Sequence, residues 1–270
     1  MPPPTHINGR PVFGPPRASL PNYLLRAHLC PADITDPPIT RTLSCPATAT
    51  FQALHLALQT AFGWATTHTY DFKIADPTAP VLPEPSILDI IQNPMGSRAP
   101  RALLRIAETP PAPGAGGMFP FGRRKIDFMY NDARKNAETP ETTSEKITLR
   151  DVFDDPRYRG VPMEYEYDFG DCWEHALEVV GRDDDASRVG MGAFVCVDGE
   201  GHACAEDVGS VDGWKRLKKA YSARNPTAEQ RENMVWYESQ CSNGDRQGLG
   251  GGRERRWSKG HVNRLLAEMV

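Results

Sequence analysis

From Val161 to Phe169 the odd positions are Val, Met, Tyr, Tyr and Phe, while the even positions are Pro, Glu, Glu and Asp. This is the period of two expected of a strand with one buried face. The alternation resumes as Trp173, His175, Leu177 and Val179. A three-residue loop of Gly170, Asp171 and Cys172 sets Phe169 opposite Trp173, Tyr167 opposite His175 and Tyr165 opposite Leu177, so that the two apolar faces coincide; a two-residue loop would put them on opposite faces. A central hairpin with an aromatic face is therefore the first expectation.

The same patterning predicts the rest of the fold. Tyr23, Leu25, Ala27 and Leu29 alternate, as do Ile39, Arg41, Leu43 and Cys45, which gives two strands across a Pro-rich connection. Phe51, Leu54, Leu58, Ala61 and Phe62 recur at helical spacing between Thr50, a natural N-cap, and Gly63, where a helix would stop. His68, Tyr70, Phe72 and Ile74 mark a strand face, Ile87 to Ile91 a short helix and Ala102 to Ile106 a short strand. Thr148 and Asp151 have the spacing of a capping box. After a strand at Ala193 to Val197, helices follow around Trp214, Leu217, Ala220 and Tyr221, from Thr227, and around Val262, Leu265, Leu266 and Met269. Strands dominate the first two thirds and helices close the chain. The fold class is α+β, a mixed or barrel-like sheet with a central hairpin and helices packed on one side.

The 25 prolines and 23 glycines concentrate at 1–21, 76–100, 108–122 and 242–252. Residues 1–19 are expected to be disordered, and 20–270 to form one domain with a surface loop insertion at about 108–146. The length of 270 residues with 39% hydrophobic and 24% charged residues is ordinary globular composition. A formal charge of -4 argues against a protein that lives by neutralising phosphates, so nucleic acid is not the expected partner. Clusters such as Lys215-Arg216 with Lys218-Lys219 fall on the solvent face of a helix. No apolar run approaches the ~18 residues of a membrane span and the amino terminus does not read as a signal peptide, so a cytoplasmic protein is expected, with its oligomeric state open. Six cysteines without a CxxC pair indicate reduced thiols rather than a zinc ribbon or a disulfide framework.

The run Tyr165-Glu-Tyr167-Asp168-Phe169-Gly170-Asp171-Cys-Trp173-Glu-His175 matches a hallmark Tyr-x-Tyr-Asp-Phe-Gly-Asp-x-Trp-x-His. With Leu54-His55, Phe62-Gly63-Trp64 and His68, and with Gly199-x-Gly201, Cys204, Glu206, Asp207 and Gly209, the chain resembles the Ri-plasmid ORF-three-like domain family over about residues 20–268. The resemblance implies a compact α+β domain and no defined activity, with a mobile-element context that suggests a DNA-associated or other non-catalytic interaction module as the alternative to an enzyme. The chain departs from the family at Thr40-Arg41-Thr42 and at Cys204-Ala205.

Two aspartates and a histidine around one turn are candidates for acid–base chemistry: Asp168 and Asp171 as carboxylates, His175 as base. The bland alternative is that both aspartates cap the turn and His175 is a hydrogen-bonded core residue. Tyr165, Tyr167, Trp173 and Trp64 would wall a pocket for a small molecule, with His68, His55, Glu206 and Asp207 as further ligand-binding groups. A metal drawn from His55, His68, Asp171, His175, Cys196, Cys204, Glu206 and Asp207 lacks any supporting local spacing, so no metal ligand is assigned and the cofactor is left open. Thiolate catalysis by Cys172 or Cys204 is disfavoured, since the adjacent Glu206 and Asp207 would raise the Cys204 pKa.

Overall fold

The computed structural model describes residues 21–80, 99–109, 134–185, 187–188 and 192–269, together with the backbone of a two-residue ladder between His6–Ile7 and Arg10–Pro11. The helix expected at Ile87 to Ile91, the remainder of the 1–19 segment and residues 110–133 of the expected insertion lie outside the described residues.

Eight strands form one open sheet: β1 (Asn22–Leu29), β2 (Thr40–Cys45), β3 (Tyr70–Ala75), β4 (Ala102–Ala107), β5 (Glu141–Thr143), β6 (Met163–Tyr167), β7 (Trp173–Asp183) and β8 (Val195–Glu200), in the order β8-β2-β1-β7-β6-β3-β4-β5. Every pairing is antiparallel except β4 with β5, so of the two forms expected the sheet is the mixed, open one. Among the described residues the sheet is joined by helices α1 (Phe51–Phe62), α2 (Leu149–Phe153), α3 (Ser210–Ser222), α4 (Ala228–Ser239) and α5 (Lys259–Ala267).

The elements end where their sequences say they should. The Thr50 hydroxyl accepts from the Ala53 amide, and Gly63 takes the left-handed φ of 73° that closes α1. Thr148 and Asp151 form the reciprocal capping box of α2, and Thr227 and Gln230 form that of α4. The apolar face of α1 lies over the sheet, where Phe51 meets Phe72 edge-on at 5.0 Å. Tyr23, Leu25, Ala27 and Leu29 of β1 are all buried on that side.

The hairpin differs from its expected register. Tyr167 pairs with Trp173, Tyr165 with His175 and Met163 with Leu177, so the loop has five residues, 168–172, rather than three. The shift is even, and the aromatic faces still coincide. Its cause is Asp168, which leaves the strand at φ 58°, donates its amide to Thr69 O at 3.0 Å and accepts at its own carbonyl from Cys172 N at 2.6 Å. Its carboxylate accepts from Gly170 N (2.9 Å) and Asp171 N (3.3 Å), an Asx turn that sequence spacing alone did not resolve.

Residues 134–146 do not hang off the surface as expected of the insertion. Glu141–Thr143 extends the sheet as β5, Ser144 is buried beside Tyr70, and Arg134 reaches under the sheet to Asp71.

Candidate functional site

The four aromatic residues expected as pocket walls pack against one another. Tyr165, Tyr167 and Trp173 are almost fully buried, and Trp64 lies 5.1 Å from Trp173 and 5.7 Å from Tyr167, ring centre to ring centre. His175 sits among them at 0% exposure, its Nδ1 2.9 Å from Trp173 O and its ring packed edge-to-face with Phe62 at 4.6 Å between ring centres. Burial lowers its pKa to about 3, so at neutral pH it is an uncharged core imidazole. His55 is also buried, stacked 3.5 Å over Tyr70, with Nδ1 2.8 Å from the Tyr165 hydroxyl, which also accepts from Gln59 at 2.8 Å. Asp171 is set apart from His175 and accepts at its carboxylate from Gly209 N at 3.0 Å, fastening the hairpin turn to the loop before α3.

That fastening brings together a different polar group. His68, two residues before β3, places Nε2 3.1 Å from the Asp207 carboxylate and Nδ1 3.6 Å from that of Asp168. One donor atom from each of the three residues falls within 4.8 Å of the others. His68 and Asp168 are 6% and 4% exposed as residues, whereas the Asp207 side chain is 35% exposed and faces outward. Glu206 lies behind: its carboxylate accepts from the Tyr167 hydroxyl (2.7 Å), Ala65 N (2.9 Å) and Thr67 Oγ1 (3.4 Å). Burial raises the Glu206 and Asp168 pKa values, and the hydrogen bonds and His68 only partly oppose it. Burial, helped by the neighbouring Glu206 charge, also pushes the Tyr167 phenol upward, so it stays protonated and donates.

Tyr167→Phe tests this support: it removes a donor from a buried carboxylate and the acceptor of Thr67 N at 3.1 Å. The expected cost is about 1–3 kcal/mol in urea unfolding at unchanged m-value. A cost near zero would mean that Glu206 is protonated and satisfied elsewhere.

Of the expected site residues, then, His68, Asp168 and Asp207 converge, Glu206 buttresses them, and His175, His55 and the aromatic rings form the core behind. Asp207 also lines a cleft of about 350 Å³ with Val208, Gly213, Arg216, Leu217, Glu229, Asn233 and Trp236, between α3 and α4. Glu229, Asn233 and Trp236 were not singled out from sequence, and Arg216 was read only as part of a solvated basic face. Their only signal was the apolar run Met234-Val235-Trp236-Tyr237 in an otherwise polar helix.

A second polar constellation, equally unforeseen, lies on the opposite side of β3. Asp71, 1% exposed, receives Arg105 Nε at 2.8 Å and Arg134 through Nε and Nη2 at 3.1 and 3.0 Å. Arg134 also bonds Glu166 at 2.7 Å and covers the Phe169 ring at 4.4 Å, and Arg105 bonds Glu141 at 2.8 Å. Neither thiol considered from sequence is activated: burial holds Cys204 well above its ordinary value, and desolvation with the Glu166 charge raises the surface-exposed Cys172 to about 11. On α3, Lys215 lies 3.2 Å from Asp33 and Lys218 donates to Asp36 O, which engages part of the basic face. Among the described residues no helix is long and apolar enough to cross a membrane.

The family model described as Plasmid pRiA4b ORF-3-like protein matches residues 26–245. A protein of Sinorhizobium fredii (strain NBRC 101917 / NGR234), described as uncharacterized protein y4hQ, is 24% identical over 217 residues, which is 78% of this chain and 82% of that one. The crystal structure of a protein of unknown function, MM3350 from Methanosarcina mazei Go1, superposes with a TM-score of 0.54 at 19% identity, covering 89% of this chain and 96% of that one. At that identity the likeness is one of fold.

Proposed function

The chain belongs to the plasmid pRiA4b ORF-3-like protein family, and within that fold we propose that it is a small-molecule-binding or small-molecule-transforming domain whose working groups are Asp207, His68 and Asp168. One observation carries the reading: Asp207 both bonds His68 and forms the wall of the cleft between α3 and α4. Asp207 is the group that meets a ligand. His68 behind it stabilises whichever protonation state the carboxylate adopts, and Asp168 orients the imidazole from its far side. A buried histidine held between two carboxylates is suited to proton transfer, a role that the neutral core residue His175 cannot take without leaving its packing.

The cleft sets the ligand class. Its volume of about 350 Å³ is at the small end of ligand sites, and Arg216 with Asn233 beside Trp236 suits a compact molecule carrying one anionic group and a flat portion. In a thermal-unfolding screen of small carboxylate and phosphate compounds, members of that class are expected to raise the Tm of the wild type but not of Arg216→Ala or Trp236→Ala. Equal shifts in all three proteins, or none in the wild type across the panel, would refute the assignment of this cleft.

A further inference from the structure

We infer that His68, Asp168 and Asp207 form a binding site for a divalent transition cation, zinc or manganese. The inference rests on reading this cluster as the working site, but it concerns the ion alone and needs no organic ligand.

The first argument is chemical. One imidazole nitrogen and two carboxylates are a nitrogen–oxygen donor set suited to Zn²⁺ and Mn²⁺. Ligand atoms ~2.1 Å from an ion lie about 3.0–3.4 Å apart when adjacent. The His68 Nε2 to Asp207 distance of 3.1 Å already has that spacing, and one donor atom from each of the three residues falls within 4.8 Å of the others, so that an ion would draw the set closer together. Three protein ligands would leave positions open to water on the Asp207 side, where the cleft begins.

The second argument is one of charge. His68, Asp168 and Glu206 are nearly buried beside the partly exposed Asp207, so that three carboxylates and one imidazole share a small volume. Buried charges are ordinarily paired or bound to metal. Glu206 already has its hydrogen-bond donors from Tyr167, Ala65 and Thr67, so it acts as outer support, and the two remaining carboxylates lie against the two nitrogens of one imidazole, Asp207 at Nε2 and Asp168 at Nδ1.

The third is conformational. Each segment that brings a ligand contains a non-glycine residue in the left-handed region: Thr66 at φ 57°, Asp168 at 58° and Asp207 at 56°. Such residues cost of order 1 kcal/mol each and gather where function holds the backbone in place. The Asp171 bond to Gly209 N ties the Asp168 and Asp207 loops together, so the ligands are held near one another before an ion arrives.

The test is calorimetric titration of the chelator-stripped full chain with ZnCl₂ and, separately, MnCl₂. One ion per chain is expected, with affinity reduced more than about 100-fold in His68→Ala, Asp168→Asn and Asp207→Asn. Asp168→Asn keeps an oxygen for the turn amides, and circular dichroism checks that each variant is folded. His261→Ala, on an exposed histidine of α5, is expected to bind as the wild type does. No binding by the wild type, or stoichiometric binding that survives in folded Asp168→Asn and Asp207→Asn, would overturn the inference. If ions bind as expected while no small molecule stabilises the protein, the cleft reading fails and the metal site stands. If small molecules stabilise the protein while the wild type binds no ion, the metal inference fails alone.

Discussion

Asp71→Ala is expected to destabilise the protein by about 3–5 kcal/mol, because it leaves two buried or half-buried guanidinium groups facing an empty site. Arg105 is 1% exposed in its side chain and Arg134 18%, and both converge on Asp71 from different segments. Glu141 and Glu166 retain one bond to each arginine, which places the expected value toward the lower end of that range. Urea unfolding of the variant checks it, and a loss below about 1 kcal/mol would show that the arginines turn outward to water at little cost. The same residue shapes the acid limb of stability. Burial would raise the Asp71 pKa, but Arg134, Lys73 and Arg105 outweigh it and hold the carboxyl below its ordinary value. The unfolded chain therefore takes up this proton first as pH falls. The contribution is whole above the unfolded value of ~3.9 and is lost as pH drops through the lower native one, so Asp71→Ala should flatten that limb of the profile.

Asp168 and Glu206 act in the opposite sense. Their native pKa values are raised, so keeping them charged opposes folding at neutral pH, and the penalty is relieved as pH falls through those values. Neutral, buried His175 works against them, because a pKa lowered to about 3 makes the unfolded chain take up that proton first as pH falls below its ordinary value of about 6.5.

The elements were legible in the sequence because their signals are local. Thr50 and Gly63 bound α1, the Thr148 and Asp151 pair opens α2, and strict alternation marks β1, β2, β6 and β7. The register of the central hairpin was not, because it depends on Asp168 bonding Thr69 O on a neighbouring strand, a contact between segments about a hundred residues apart. The same limit governs the site. His68, Asp168, Glu206 and Asp207 were all marked as polar residues in aromatic company, yet their convergence, and the separation of His175 from them, follows from strand order β7-β6-β3 and from the Asp171 tie to Gly209. Tyr165, Tyr167 and Trp173 read equally well as pocket walls or as core by alternation alone, since both demand an apolar face; only mutual packing tells them apart. The Asp71 network was missed for a related reason. Asp71, Arg105 and Glu166 each occupy the polar side of an alternating strand, which ordinarily means solvent, and it is Arg134 from beyond β4 that covers them.

Gly213→Ala is expected to abolish the cluster together with much of the stability of the α3 region. Gly213 lies in the first turn of α3, and a Cβ there would stand 1.8 Å from Val208 O and 2.6 Å from Val208 C. Both are backbone atoms, so no rotamer change removes the clash. The helix and the loop before it must separate by more than an ångström. Val208 follows Asp207 directly, so the displacement is delivered to the carboxylate that bonds His68 at 3.1 Å and walls the cleft. The expected result is a loss of more than about 3 kcal/mol in unfolding free energy, with ion affinity and ligand-induced stabilisation both gone in whatever remains folded. Gly260→Ala in α5 is the matched control. A methyl there meets nothing within 4 Å, and replacing glycine in a helix by alanine is expected to be neutral or stabilising by up to about 1 kcal/mol. If Gly213→Ala unfolds like the wild type and still binds the ion, then Val208 and α3 move apart freely. The loop that carries Asp207 would then be adaptable rather than preset, and the left-handed conformation of Asp207 would hold no organisation for a ligand to exploit.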